Sequence, residues 1–120
     1  MSQSLPKYVL ITPARNEVQF IEATIQSVLA QSVRPMRRVI VSDGSTDGTD
    51  EIAQSFAQVR YHRQEHAGLS VARNFGAQLA SGTILAYTDD DCIAHADWLL
   101  HLSHAFVEKT VVAAGGPNIP

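Results

Sequence analysis

Three consecutive aspartates, Asp89-Asp90-Asp91, follow the apolar run Ile84-Leu85-Ala86-Tyr87 and a single threonine. Like charges at the end of a buried segment repel one another unless something positive compensates. A divalent cation is the natural compensation. Mg²⁺ and Mn²⁺ prefer hard oxygen ligands, and Mg²⁺ in particular often takes one or two carboxylates, with phosphate and water completing its shell. Side chains alternate along extended backbone, so Asp89 and Asp91 would point to the same side. One of them can then hold a metal while the other accepts a hydrogen bond from a sugar hydroxyl. A solvated acidic loop is the plainer alternative, and the strand context argues against it.

Two further segments bring polar groups to the ends of apolar runs. Tyr8-Val9-Leu10-Ile11 is followed by Thr12-Pro13-Ala14-Arg15-Asn16-Glu17, and Val39-Ile40-Val41 by Ser42-Asp43-Gly44-Ser45. Turn composition accounts for Asp43 and Gly44. It does not account for three segments that all deliver carboxylates and hydroxyls. Other reactive side chains fit plainer roles. Cys92 sits beside negative charge that disfavours a thiolate, so it reads as a small buried packing residue. His62 and His66, and His101 and His104, lack the ligand quartet of a structural zinc site and read as exposed-face histidines. Arg34, Arg37 and Arg38 read as a solvated rim.

The elements that must position these residues follow from periodicity. The three apolar runs read as buried strands, with a weaker strand at Val59-Arg60-Tyr61-His62 and a fifth at Thr110-Val111-Val112-Ala113-Ala114. Between them, Val18, Ile21, Ile25, Val28 and Leu29 recur at helical spacing, with Asn16 as N-cap and Gln19 completing a capping box. Ile52, Ala53, Phe56 and Ala57 mark a second helix. Ala72, Phe75, Gly76, Leu79 and Ala80 mark a third, stopped by Ser81-Gly82. A fourth begins near Asp97 and presents Leu99, Leu102 and Phe106, with Trp98 packing it on the sheet. Near-continuous apolar strands require cover on both faces. The expected class is α/β: an open, mainly parallel sheet with helices on both faces, whose ligands bind beyond the carboxyl ends of the strands at a topological switch point.

Ile11-Thr12-Pro13-Ala14-Arg15-Asn16-Glu17, Val41-Ser42-Asp43-Gly44-Ser45-Thr46-Asp47, Gly68-Leu69-Ser70-Val71-Ala72-Arg73-Asn74-Phe75-Gly76 and Thr88-Asp89-Asp90-Asp91-Cys92 resemble the successive motifs of family-2 glycosyltransferases of the GT-A fold. The resemblance implies a Rossmann-like nucleotide-diphospho-sugar transferase acting with inversion and with Mn²⁺ or Mg²⁺ assistance. It implies that Pro13, Ala14, Arg15 and Glu17 line the base and ribose of the donor; Arg15 stands where the family often has an aromatic residue, so stacking on the base is either by its guanidinium or absent. Asp43 would accept a hydrogen bond from the N–H of uracil or an equivalent base edge, and Arg73 would approach the base or the diphosphate. Asp89 and Asp91 match the family's Asp-x-Asp pair, for ribose and metal respectively, with Asp89 also counted as a metal residue. Asp90 fills the middle position of the donor-binding set. The catalytic base that deprotonates the acceptor is expected beyond Pro120.

The remaining properties set bounds. The 120 residues, 45% of them hydrophobic, suit one domain with a single core. The formal charge of −3 argues against broad nucleic-acid binding. No apolar run approaches the ~20 residues of a membrane span. A single cysteine favours a reducing, cytoplasmic location, with a parent protein at the cytoplasmic face of a membrane as the variant of that expectation. The closing Gly115-Gly116-Pro117-Asn118-Ile119-Pro120 follows a strand without a capping helix, so the domain over residues 1–120 is expected to be truncated at its C-terminus. An apolar edge at Val111-Val112-Ala113 would then invite homo-oligomerisation. A phospho-receiver domain is the competing reading. It expects an acidic pair after the first strand, an aspartate after the third and a lysine after the fifth, and none stands there. A dinucleotide-binding module lacks its G-x-G-x-x-G.

Overall fold

The computed structural model describes residues 8–32, 35, 37–78 and 84–105. The element order is β1 (Tyr8–Ala14), α1 (Ile21–Leu29), β2 (Arg37–Asp43), α2 (Thr49–Gln54), β3 (Arg60–Gln64), α3 (Leu69–Gln78), β4 (Ile84–Tyr87) and α4 (Trp98–Ala105). The four strands form one parallel sheet in the order β3-β2-β1-β4. The chain therefore steps outward from β1 through β2 to β3, then returns to the other side of β1. That reversal is the switch point, and it lies between β1 and β4. The expected fifth strand, the Ser81-Gly82 stop, and Arg34, Leu79, Ala80 and Phe106 lie outside the described residues.

Burial on both sheet faces explains why the central strands are apolar throughout. Val9, Ile11, Val39 and Val41 face α3 and form one cluster with Ala72 and Leu85. On the opposite face, Ala14 and Ile40 pack with Ile21 and Ile25 of α1 and Ala53 of α2. Leu10 packs on that side with Val28 and Leu99, and Trp98 closes over this third cluster as expected. The α3 face depends on a close approach. A Cβ on Gly76 would come within 2.6 Å of the Ile11 Cγ2 atom, so only glycine lets this helix lie so near β1.

Several local expectations need correction. Asn16 does not cap α1. The helix starts at Ile21 behind Phe20, and Asn16 sits four residues earlier with a left-handed φ of 51°. Val18 accordingly lies outside the helix and is exposed. The second helix ends at Gln54, so Phe56 packs from the segment beyond it and Ala57 is exposed. Phe75 is on the outer part of α3, its ring meeting that of half-buried His62 edge-on at 5.5 Å. No helix among the described residues is long and apolar enough to cross a membrane.

Candidate functional site

The loops that leave the carboxyl ends of β1, β2 and β4 meet at the switch point. At its floor, the hydroxyls of Thr12 and Thr88 lie 2.7 Å apart. The Thr88 N–H donates to the Ile11 carbonyl at 3.1 Å and carries the β1–β4 pairing one residue past β4. Above this, the loop at residues 15–18 is held by both neighbours. The Arg15 N–H donates to Asp90 Oδ2 at 2.9 Å. The Asn16 N–H donates to Ser45 Oγ at 3.1 Å, and Asn16 Oδ1 accepts from the Thr46 N–H at 2.8 Å. The N–H groups of Glu17 and Val18 donate to Thr49 Oγ1 and Asp47 Oδ2. The Ser45–Thr49 run thus serves as a rack of side-chain oxygens and donors that fixes the backbone of the first loop. Asn16 tolerates its left-handed φ because its short amide bonds locally.

The aspartate triplet has a different geometry from the alternation expected of a strand. Regular pairing stops at Tyr87, and Asp90 and Asp91 lie in a turn. Asp90 is buried while Asp89 and Asp91 are exposed. Asp89 and Asp91 still come together, their carboxylate oxygens and the Cys92 sulfur lying within 4.8 Å of one another. A second grouping of the same span joins Glu17, Asp90 and Asp91 across the switch point. Burial is the main cause that pushes the Asp90 carboxyl up to about 6, and the negative charges of Glu17 and Asp91 push the same way against the Arg15 N–H. Oxygen ligands with uncompensated negative charge are what a hard divalent cation takes, so this donor set fits Mn²⁺ or Mg²⁺.

Arg73 projects from α3 toward the triplet, its guanidinium donating to Asp89 Oδ1 at 3.4 Å. Among the described residues, it is the side-chain cation that pairs with an exposed carboxylate of the triplet. Cys92 corrects an expectation: it is exposed, because the turn carries it clear of the sheet. Partial desolvation and the nearby charges of Asp89 and Asp91 raise its thiol pKa.

Asp43 ends the strand beside β1, as the sequence suggested, but its carboxylate is fully enclosed. Oδ1 accepts from the Gln64 amide at 2.8 Å and the Ala67 N–H at 2.7 Å. Oδ2 accepts from the Gly68 N–H at 3.0 Å and pairs with His66 Nδ1 at 2.9 Å. Burial alone would raise its pKa. The donated hydrogen bonds from Ala67, Gln64, His66 and Gly68 outweigh that and hold it at about 2. In this state Asp43 organises the loop that starts α3. Gly68, at a φ of 108°, makes the bend into that helix. His66 is thus an exposed histidine with a definite partner.

Pro13 and Ala14 are buried in the last turn of β1, and Arg15 and Glu17 project from the loop beyond it. The structure gathers Arg15, Glu17, Asp90 and Asp91 most closely, with Asp89 and Arg73 beside them. Sequence reasoning missed the residues behind the triplet. Thr24 and Ser27 on α1, and Gln31 just beyond its end, bond to the segment from Asp90 to Leu99.

The model for Glycosyl transferase family 2 matches residues 9–119. A glucosyl-dolichyl phosphate glucuronosyltransferase of Haloferax volcanii is 32% identical over 117 residues, which covers 93% of this chain and 37% of the relative. Glycosyltransferase AglE of the same organism is 35% identical over 106 residues, covering 82% and 35%. The chain therefore spans little more than a third of these relatives' lengths. Among solved structures, S. aureus TarS 1-349 in complex with UDP superposes with a TM-score of 0.76 at 22% identity, over 93% of this chain and 38% of that one. The mannosyltransferase PcManGT of Pyrobaculum calidifontis, in complex with GDP-Man and Mn²⁺, gives 0.71 at 25% identity, over 93% and 34%.

Proposed function

The chain belongs to glycosyl transferase family 2, and from that premise we propose that its switch-point edge is the donor half of a glycosyltransferase site, binding a nucleoside diphosphate sugar with Mn²⁺ or Mg²⁺. The observation that carries this reading is the Glu17–Asp90–Asp91 group between β1 and β4, with Arg73 beside it. Two solved neighbours hold UDP and GDP-Man with Mn²⁺ in the same fold, which supports the ligand class.

In this reading Asp91, exposed and shared by both carboxylate groupings, is the main metal ligand, and Asp89 contributes to the metal and the ribose. The metal, when bound, supplies Lewis-acid neutralisation of the diphosphate. Asp90 holds the Arg15 backbone in place so that Pro13, Ala14, Arg15 and Glu17 border the nucleoside. Arg73 turns from Asp89 toward diphosphate charge. Asp43 reaches a base N–H, as a uridine donor offers, only by releasing a present partner. Gln64 and His66 bond through side chains and are the exchangeable ones, whereas the Ala67 and Gly68 N–H groups are backbone. Transfer proceeds with inversion through a base that lies beyond Pro120, in a cytoplasmic setting.

Calorimetric titration of UDP and GDP, with and without Mn²⁺, tests the reading. Mn²⁺ should tighten nucleotide binding at least about tenfold, and Asp91→Asn should abolish that gain. UDP should bind more tightly than GDP. Nucleotide affinity indifferent to both Mn²⁺ and Asp91 would refute it.

A further inference from the structure

A buried polar ladder runs behind the acidic turn. The Thr24 hydroxyl, 1% exposed, donates to the Asp90 carbonyl at 3.0 Å. Ser27 Oγ accepts the Ala94 N–H at 3.0 Å while donating to the Thr24 carbonyl at 2.7 Å. The Gln31 amide, 5% exposed, takes both directions: Nε2 donates to the His95 carbonyl at 2.7 Å and Oε1 accepts the Leu99 N–H at 3.0 Å. Thr24 and Ser27 lie on the side of α1 turned to the switch point, three positions apart and so about one turn from each other, and Gln31 continues the row from just beyond the C-cap Ala30, its Nε2 also donating to the Ser27 carbonyl at 3.2 Å. Each meets a successive backbone group of the segment from Asp90 to the start of α4.

A turn that exposes the carboxylates of Asp89 and Asp91 around a buried Asp90 would otherwise spread under its own repulsion. Among the described residues, the counter-charge recorded at its side chains is the long Arg73 contact to Asp89. Neutral backbone hydrogen bonds from a rigid helix hold the turn without competing for the carboxylate oxygens, which leaves those oxygens available to a cation. The Asp90 bond is the critical rung, because the same residue also fixes Arg15 on the other side.

We propose that the Thr24–Ser27–Gln31 ladder positions the acidic turn for divalent-cation binding, with Thr24 as the rung that sets cation affinity. This rests on the donor-site reading above. Thr24 touches neither cation nor substrate. It acts through the Asp90 backbone, as outer-shell partners of metal ligands do.

The test is a Mn²⁺ titration followed by the electron paramagnetic resonance of the free ion, in the presence and absence of UDP. Thr24→Val removes the hydroxyl at nearly constant volume, Thr24→Ser keeps it, Ser27→Ala removes the second rung, and Asp91→Asn removes the ligand itself. Near-ultraviolet circular dichroism confirms the fold of each. Mn²⁺ affinity should fall about tenfold in Thr24→Val, fall in Ser27→Ala, and stay within about twofold of wild type in Thr24→Ser. If Thr24→Val does not fold, Ser27→Ala and Thr24→Ser decide the matter. Wild-type Mn²⁺ affinity in folded Thr24→Val, or in Ser27→Ala where that variant decides, with loss in Asp91→Asn, would overturn the ladder alone. Absence of Mn²⁺ binding by the wild-type protein would overturn the donor-site reading and the ladder with it.

Discussion

The hydroxyls of Thr12 and Thr88 meet at 2.7 Å across 76 positions of sequence. That bond sits one residue past the last β1–β4 pair, Ile11 with Tyr87, below Arg15 and the aspartate triplet. Thr12 is buried, so Thr88 gives its hydroxyl the partner that water does not supply there. The two strand ends are therefore spaced by a direct contact, and the loops above inherit that spacing.

Asp43 ties acid stability to the loop before α3. Its folded pKa of about 2 lies below its ordinary value of 3.8. A lowered carboxylate contributes stability above the unfolded pKa, and that contribution is lost as pH falls through the folded one. Urea denaturation should show wild-type stability declining from about pH 4 to about pH 2, with a flatter limb in Asp43→Asn. At pH 7 the variant should be less stable by about 1–3 kcal/mol, because an amide presents N–H to buried donors. An unchanged acid limb would remove Asp43 as its source.

Gly76→Ala should destabilise the fold by about 1–3 kcal/mol through overpacking against Ile11. Helix propensity would favour alanine by about 1 kcal/mol, so the sign of the result separates the two effects. Ile11→Ala should cost less in the Gly76→Ala background than alone, and a double-mutant cycle reads that coupling.

Asn16 offers a test of backbone strain. Asn16→Gly keeps the left-handed conformation and loses only the Thr46 bond, whereas Asn16→Ala adds about 1–2 kcal/mol for the conformation itself. Chemical denaturation should rank the alanine variant below the glycine variant, and equal stabilities would show that the loop relaxes away from this geometry.

Arg73 and Asp89 are both substantially exposed, and pairs of that kind contribute little to stability. Arg73→Ala should therefore shift the unfolding free energy by less than about 0.5 kcal/mol. It should nevertheless weaken UDP binding several-fold. A large loss of stability with unchanged nucleotide affinity would make Arg73 a fold residue.

The parallel sheet was legible because Val9–Ile11 and Val39–Val41 are buried on both faces, and two-sided burial writes itself as unbroken apolar runs; the third run, Ile84–Tyr87, is only half-buried and ends on an exposed Tyr87. The aspartate triplet was legible as a charge problem at a strand end. Asn16 misled because Asn-x-x-Gln is also a capping pattern, and the bond to Thr46, 30 positions away, outweighed it. Asp90 was hidden because alternation assumes extended backbone, and regular pairing ends at Tyr87. Thr24, Ser27 and Gln31 were missed because polar residues between the apolar positions of a helix and at its end carry no signal of their own. Their partners across the switch point lie 64 to 68 positions further on, and no local pattern marks them.

The strand order also sets a timetable for synthesis. Strands β1, β2 and β3 are neighbours in space and successive in the chain, so a nascent polypeptide can assemble them as they emerge. The strand that carries the acidic turn comes later and must return past both to reach β1, closing the longest loop in the sheet. At roughly 5–20 residues per second, seconds separate the release of β1 from that closure. Until then the Thr24 and Gln31 side chains face an empty flank, and the acidic turn has nothing to fasten to.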